Sequence, residues 1–81
     1  MVADGDQLAY EAARRVARES YGKLIAFLAK RTRDVAGAED ALSEAFAAAL
    51  VDWPQQGVPT NPEAWLIVVA KRKVIDRKSV V

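Results

Sequence analysis

The run from Asn61 to Lys78 constrains this chain more than any other stretch, because it opens like a helix and changes character halfway along. Asn61 carries the side-chain oxygen that an N-cap offers to an orphan backbone N–H. Pro62 follows at the first helical position, where its missing N–H costs nothing. Glu63 then sets negative charge at the positive end of the helix dipole. Trp65 to Ala70 is unbroken apolar sequence, whereas Lys71 to Lys78 holds five bases and one acid. A helix that is apolar all round belongs in a core, and one that is basic all round cannot be buried without partners. The sequence therefore predicts a helix rooted in a core, with a C-terminal half that projects to a polyanion or to solvent. Basic residues near a helix C-terminus also complement the dipole, so this run by itself leaves both readings open.

Composition narrows the rest. A chain of 81 residues allows one small domain, spanning 1–81. Its hydrophobic fraction of 52 % is too high for disorder, and alanine supplies much of it, which favours helices that approach closely. The absence of cysteine excludes disulfides and thiolate metal sites. The absence of histidine removes the usual general base and the commonest metal ligand. The four glycines are scattered, so there is no phosphate-cradling loop. Glu39 and Asp40 are adjacent, hence about 100° apart on a helix and no facing acid pair. These absences argue against an enzyme, a metal or a cofactor. No apolar run approaches the ~18 residues of a membrane span, so the expectation is a soluble, cytoplasmic protein with no membrane partner. Charge is segregated: from Asp34 to Ala70 there are six acids and no base. Two charged surfaces with different partners would explain this, as would two solvated faces.

Along the chain, Met1 to Asp6 is expected to fray, and helical periodicity begins at Gln7. Ala13, Val16, Ala17, Ser20, Leu24, Phe27 and Leu28 recur at three- and four-residue spacings. Ser20-Tyr21-Gly22 predicts a kink or break, dividing this stretch into two helices, because glycine inside a helix costs about 1 kcal/mol against alanine. Tyr10, Tyr21 and Phe27 read as packing residues. Lys30 to Arg33 close the second helix, and Asp34 is the next N-cap. Ala38, Leu42, Ala45, Phe46, Ala49, Leu50 and Trp53 form the next apolar stripe. The opposite face bears Asp40, Ser43, Glu44 and Ala47, small and acidic, suited to solvent or to a cationic partner helix. Pro54 is expected to stop this helix, and Gln55 to Thr60 to form a loop. Trp53, Gly57 and Pro59 could shape a pocket at its base, unless Trp53 merely closes the core.

The segments Ala38-Glu39-Asp40-Ala41-Leu42-Ser43-Glu44-Ala45-Phe46, Trp53-Pro54, Pro62-Glu63-Ala64-Trp65-Leu66, Val69-Ala70 and Val74-Ile75-Asp76, in this order and spacing, resemble region 2 of a bacterial extracytoplasmic-function sigma factor. The likeness runs from about Tyr21 to Lys78. It implies an all-α fold, a compact bundle of three to four helices, that binds the clamp helices of core RNA polymerase and the minus-ten element of promoter DNA on the non-template strand. It implies polymerase contacts at Asp40, Ser43 and Glu44, and DNA contacts at Lys71, Arg72, Lys73, Asp76, Arg77 and Lys78. It implies that Pro54 to Thr60 helps trap a flipped base, a move that costs a few kcal/mol of unstacking. It leaves room for an anti-sigma factor or another regulatory domain as a further partner.

Three departures from the family pattern stand out. Ser43 occupies a position usually held by glutamine on the clamp-binding helix. Arg72 occupies one usually held by asparagine on the promoter-reading helix, and arginine favours guanine or phosphate where asparagine favours adenine. The second, helix-turn-helix domain of such sigma factors is absent from these residues, which suggests an excised domain or a truncated protein. Two rival readings compete with the sigma-factor reading: a small helical protein–protein interaction module whose charged faces are only solvated, and a double-stranded DNA binder that acts without polymerase.

Overall fold

The computed structural model describes residues 4–79, with side chains described over 5–75. Within it the chain forms α1 (Asp4–Thr32), α2 (Val35–Gln56) and α3 (Pro62–Ser79). The longest dimension, 44 Å, is that of α1 itself, since 29 residues at 1.5 Å each span about 44 Å. Asp4 to Asp6 already belong to α1, so the helix begins earlier than its periodicity indicates; Met1 to Ala3, Val80 and Val81 lie outside the described residues.

The break expected at Ser20-Tyr21-Gly22 does not occur, and α1 is continuous through it. Gly22 is exposed, with open space where a side chain would stand. Its propensity cost of about 1 kcal/mol is outweighed by burial on both sides, of Val16 and Ser20 before it and Leu24 and Leu28 after it. Arg33 then ends α1 in the left-handed region at φ 57° while its N–H still bonds the Ala29 carbonyl at 2.6 Å. The Thr32 hydroxyl secures the turn, accepting the Asp34 N–H at 3.1 Å and donating to the Asp34 carbonyl at 3.0 Å. Asp34 is the N-cap of α2, with extended backbone, though its carboxylate makes no capping bond.

Pro54 does not stop α2, which runs on to Gln56. The proline falls in the last turn, where only one backbone bond is lost. Gly57 ends the helix at φ 93°, its N–H bonding the Trp53 carbonyl at 2.8 Å. The connecting loop therefore begins at Gly57 rather than at Gln55. Asn61 caps α3 as expected, its side-chain oxygen accepting the Ala64 N–H at 3.1 Å.

The chain runs as an antiparallel pair, α1 and α2, with α3 returning parallel to the second half of α1. Gly5 meets Pro54, where a Cβ would stand 2.8 Å from the proline carbonyl oxygen, and Tyr21 meets Phe46 with ring centroids 6.4 Å apart. Ser20 meets Glu63 at the start of α3, and Arg31 shares a groove with Lys71 towards its end. The core is rich in alanine: Ala9 and Ala13 of α1, Ala38, Ala41, Ala45 and Ala49 of α2, and Ala70 of α3 are buried with Leu24, Leu28, Leu42, Leu66 and Trp53. Trp53 packs edge-on against Trp65 at 5.3 Å and is fully enclosed.

The buried face of α2 is rotated from the one its larger side chains indicate. Ala41 is buried, Phe46 only partly so, and Leu50 is 44 % exposed. Four of the buried α2 positions are alanines, and Leu42 and Trp53 are the larger α2 side chains that enter the core. On α1, Ala17 is exposed and Phe27 is 44 % exposed. Tyr10 and Tyr21 are exposed too, so the three α1 aromatics are surface residues rather than core packing. Arg14 covers the Tyr10 ring at 5.8 Å and Arg31 the Phe27 ring at 5.3 Å.

Candidate functional site: an acidic and a basic helix face

Asp40, Ser43, Glu44 and Ala47 stand at i, i+3, i+4 and i+7 on α2, a spacing that places them on one helix face, and all four are exposed. Their exposure follows from the register just described. Ala38, Ala41, Leu42, Ala45 and Ala49 occupy the inner side, so the remaining positions look outward. Glu39 and Asp40 stand beyond the first turn, which contains no acid, and so lie outside the reach of the helix dipole. α2 carries no base at all, so this face presents acid and small side chains only.

α3 presents the opposite charge. Arg72 is exposed, and Lys71 and Lys73 are half-buried at their stems, as expected of lysines that keep the ammonium in water while the methylenes cover apolar surface. The run from Trp65 to Ala70 is not buried on every side. Leu66 and Ala70 are in the core, Trp65, Ile67 and Val69 at its edge, and Val68 is exposed. The side chains of Asp76, Arg77 and Lys78, assigned to DNA from the sequence, lie outside the described residues.

The start of α3 is locked to α1 by a polar cluster. The Ser20 hydroxyl, on the buried stripe of α1, donates to the Glu63 carboxylate. Lys23 Nζ lies 3.6 Å from the other carboxylate oxygen. The Ser20 hydrogen bond is the strongest influence holding the Glu63 carboxyl below its ordinary range; desolvation opposes it and the Lys23 charge reinforces it. Ser20 lies on the apolar stripe of α1 and is buried there. A hydroxyl on a buried face needs a partner, and that requirement was the available signal.

The loop between α2 and α3 borders a cavity of about 350 Å³. Trp53 and Gly57 line it, as their positions suggested, but Val58 rather than Pro59 completes that side, and Leu8, Ala12 and Arg15 of α1 form the other. The Trp53 indole N–H has no acceptor among the described residues.

The site thus holds two oppositely charged helix faces, on α2 and α3, joined by a short loop, with the start of α3 held to α1 by the Ser20–Glu63 bond. No helix among the described residues is long and apolar enough to cross a membrane. Residues 7–79 match the family model described as Sigma-70 region 2. An uncharacterized protein of Rhizobium meliloti (strain 1021) is 48 % identical over 40 residues, covering 49 % of this chain and 10 % of that protein. The chain thus spans about a tenth of the curated relative it matches. No solved structure matches.

Proposed function

The chain belongs to the sigma-70 region 2 family, a promoter-recognition module of transcription initiation and not a family of enzymes, and from that premise we propose that it acts in an extracytoplasmic-function sigma factor as the part that joins core RNA polymerase to the minus-ten element. In this reading the outer face of α2 binds the polymerase clamp helices through Asp40, Ser43 and Glu44. The C-terminal half of α3 meets the promoter through Lys71, Arg72 and Lys73, continuing to Asp76, Arg77 and Lys78. The segment that would receive a flipped base narrows to Gly57–Thr60, because Pro54 to Gln56 are helical.

The observation that carries this reading is the assignment of the two charges to different helices. A cationic clamp surface can approach α2 closely, since Ser43 and Ala47 are small and the face holds no base. A polyanion would be repelled from that face and attracted to α3, so each partner has one complementary surface and one that rejects it. Phosphate contacts from the lysines would position the DNA, and Arg72 is placed to reach a base edge or a phosphate.

The test is capture of core RNA polymerase by the full chain and by an Asp40→Lys, Glu44→Lys variant. Neither residue is in the core, so circular dichroism should show an unchanged helix content while capture is lost. Equal capture by both proteins removes the α2 face from the reading. Failure of the unaltered chain to capture polymerase favours the rival interaction module.

A further inference from the structure

The basic C-terminal half of α3 has a counterpart on α1. From Gly22 to Arg33 the chain has four bases, Lys23, Lys30, Arg31 and Arg33, and no acid. Because α3 runs parallel to this half of α1, the basic ends of both helices arrive at the same end of the molecule. There they enclose a groove of about 190 Å³, lined by Leu28, Arg31 and Thr32 of α1 and Lys71, Val74 and Ile75 of α3. Leu28 forms a buried floor, and Ile75 stands exposed at the rim. Arg31 is steadied on the Phe27 ring. Neither Arg31 nor Lys71 is paired with a carboxylate among the described residues.

We propose that Arg31 and Lys71 form a two-sided clamp for the backbone of single-stranded nucleic acid, extending the DNA surface from α3 onto α1. The proposal rests on the promoter-binding reading above and adds a second helix to it. The chemistry is complementary on two counts. Arginine offers a planar fork of donors to phosphate oxygens and lysine a compact charge on the other side. The apolar floor between them suits the sugar edges and unstacked bases that only a single strand presents. Dipole compensation accounts for Lys30 and Arg31 in the last turn of α1, but it does not require that Arg31 share an apolar-floored groove with Lys71 of another helix.

The experiment titrates the full chain with a short single-stranded oligothymidylate at several salt concentrations, following amide chemical shifts. Arg31→Ala and Lys71→Ala should each weaken binding several-fold and lower the slope of log affinity against log salt by about 0.7, the value expected for one phosphate contact on a single strand. Arg31→Lys should keep the slope, and Arg14→Ala, at the other end of α1, should change neither quantity. An unchanged slope for Arg31→Ala, beside a reduced one for Arg72→Ala combined with Lys73→Ala, overturns the clamp and leaves the α3 reading standing. If neither variant differs from the unaltered chain, the DNA-binding reading falls and the clamp with it. Oligonucleotide binding untouched by Arg31→Ala, together with binding of an acidic amphipathic peptide that Ile75→Asp abolishes, assigns the groove to a protein partner and equally overturns the clamp.

Discussion

Ser20 of α1 donates a hydrogen bond from its hydroxyl to the carboxylate of Glu63 in the first turn of α3, and this bond ties the start of α3 to the middle of α1. It joins a buried hydroxyl to a charge that the helix dipole also favours, so one residue serves the start of α3 and its docking together. The parallel course of the two helices beyond that point carries Arg31 and Lys71 to the same groove.

The first prediction concerns pH. The Glu63 carboxyl titrates below its ordinary value of 4.5 in the folded chain, with the Ser20 bond the principal cause. The unfolded chain therefore binds more protons in this window, and stability rises with pH across it. The contribution should be complete above about pH 4.5 and be lost as pH falls through the lower folded value. Melting temperatures measured from acid to neutral pH should show this loss in the unaltered chain. Glu63→Gln should flatten it, and Ser20→Ala should remove most of it. An unchanged acid limb in Glu63→Gln would place the effect on other carboxylates.

A second prediction separates the true core of α2 from its apparent one. Leu42 is fully buried, so Leu42→Ala should cost about 2–5 kcal/mol. That is a large part of the roughly 4–12 kcal/mol available to a domain of this size. Phe46, although larger, is only partly buried against Tyr21, so Phe46→Ala should cost less than Leu42→Ala. Urea unfolding of the two variants measures the order, and the reverse order would contradict the rotated register.

Gly57 supplies the third. At φ 93° and ψ 153° it occupies a region that side chains with a Cβ reach only under strain, at about 1–3 kcal/mol. Gly57→Ala should therefore lower stability by that amount although nothing stands where its methyl would go. A neutral result in thermal unfolding would mean that the loop relaxes without cost.

The last prediction concerns promoter choice. If Arg72 reads a guanine edge, Arg72→Ala should relax preference at one minus-ten position, worth about 1–3 kcal/mol, and leave other positions alone. Lys73→Ala should weaken melting evenly on all sequences. A panel of minus-ten variants in a polymerase-dependent melting assay separates the two. Equal loss on every variant after Arg72→Ala makes Arg72 a phosphate contact and moves specificity towards the Gly57–Thr60 loop.

Local chemistry made much of this protein legible in its sequence. The Asn61-Pro62-Glu63 start of α3, the end of α1 near Arg33 and the Asp34 cap position depend on residues within a turn of one another, so their order along the chain suffices. The outward face of Asp40, Ser43 and Glu44 follows from helical spacing alone. What tertiary structure decided is where local preference and packing disagree. Gly22 does not break α1, because burial before and after it outweighs a glycine's propensity. Pro54 does not stop α2, because it stands in the last turn, where little helix remains to be disrupted. Leu50 and Phe27 are left outside because the core is already filled by the alanines of the three helices together with Leu28, Leu42, Leu66 and Trp53. The Ser20–Glu63 bond and the meeting of Arg31 with Lys71 join residues more than thirty-five positions apart. No periodicity encodes such a pair; it exists only once α3 has been laid parallel to α1 and the shared core has set their register.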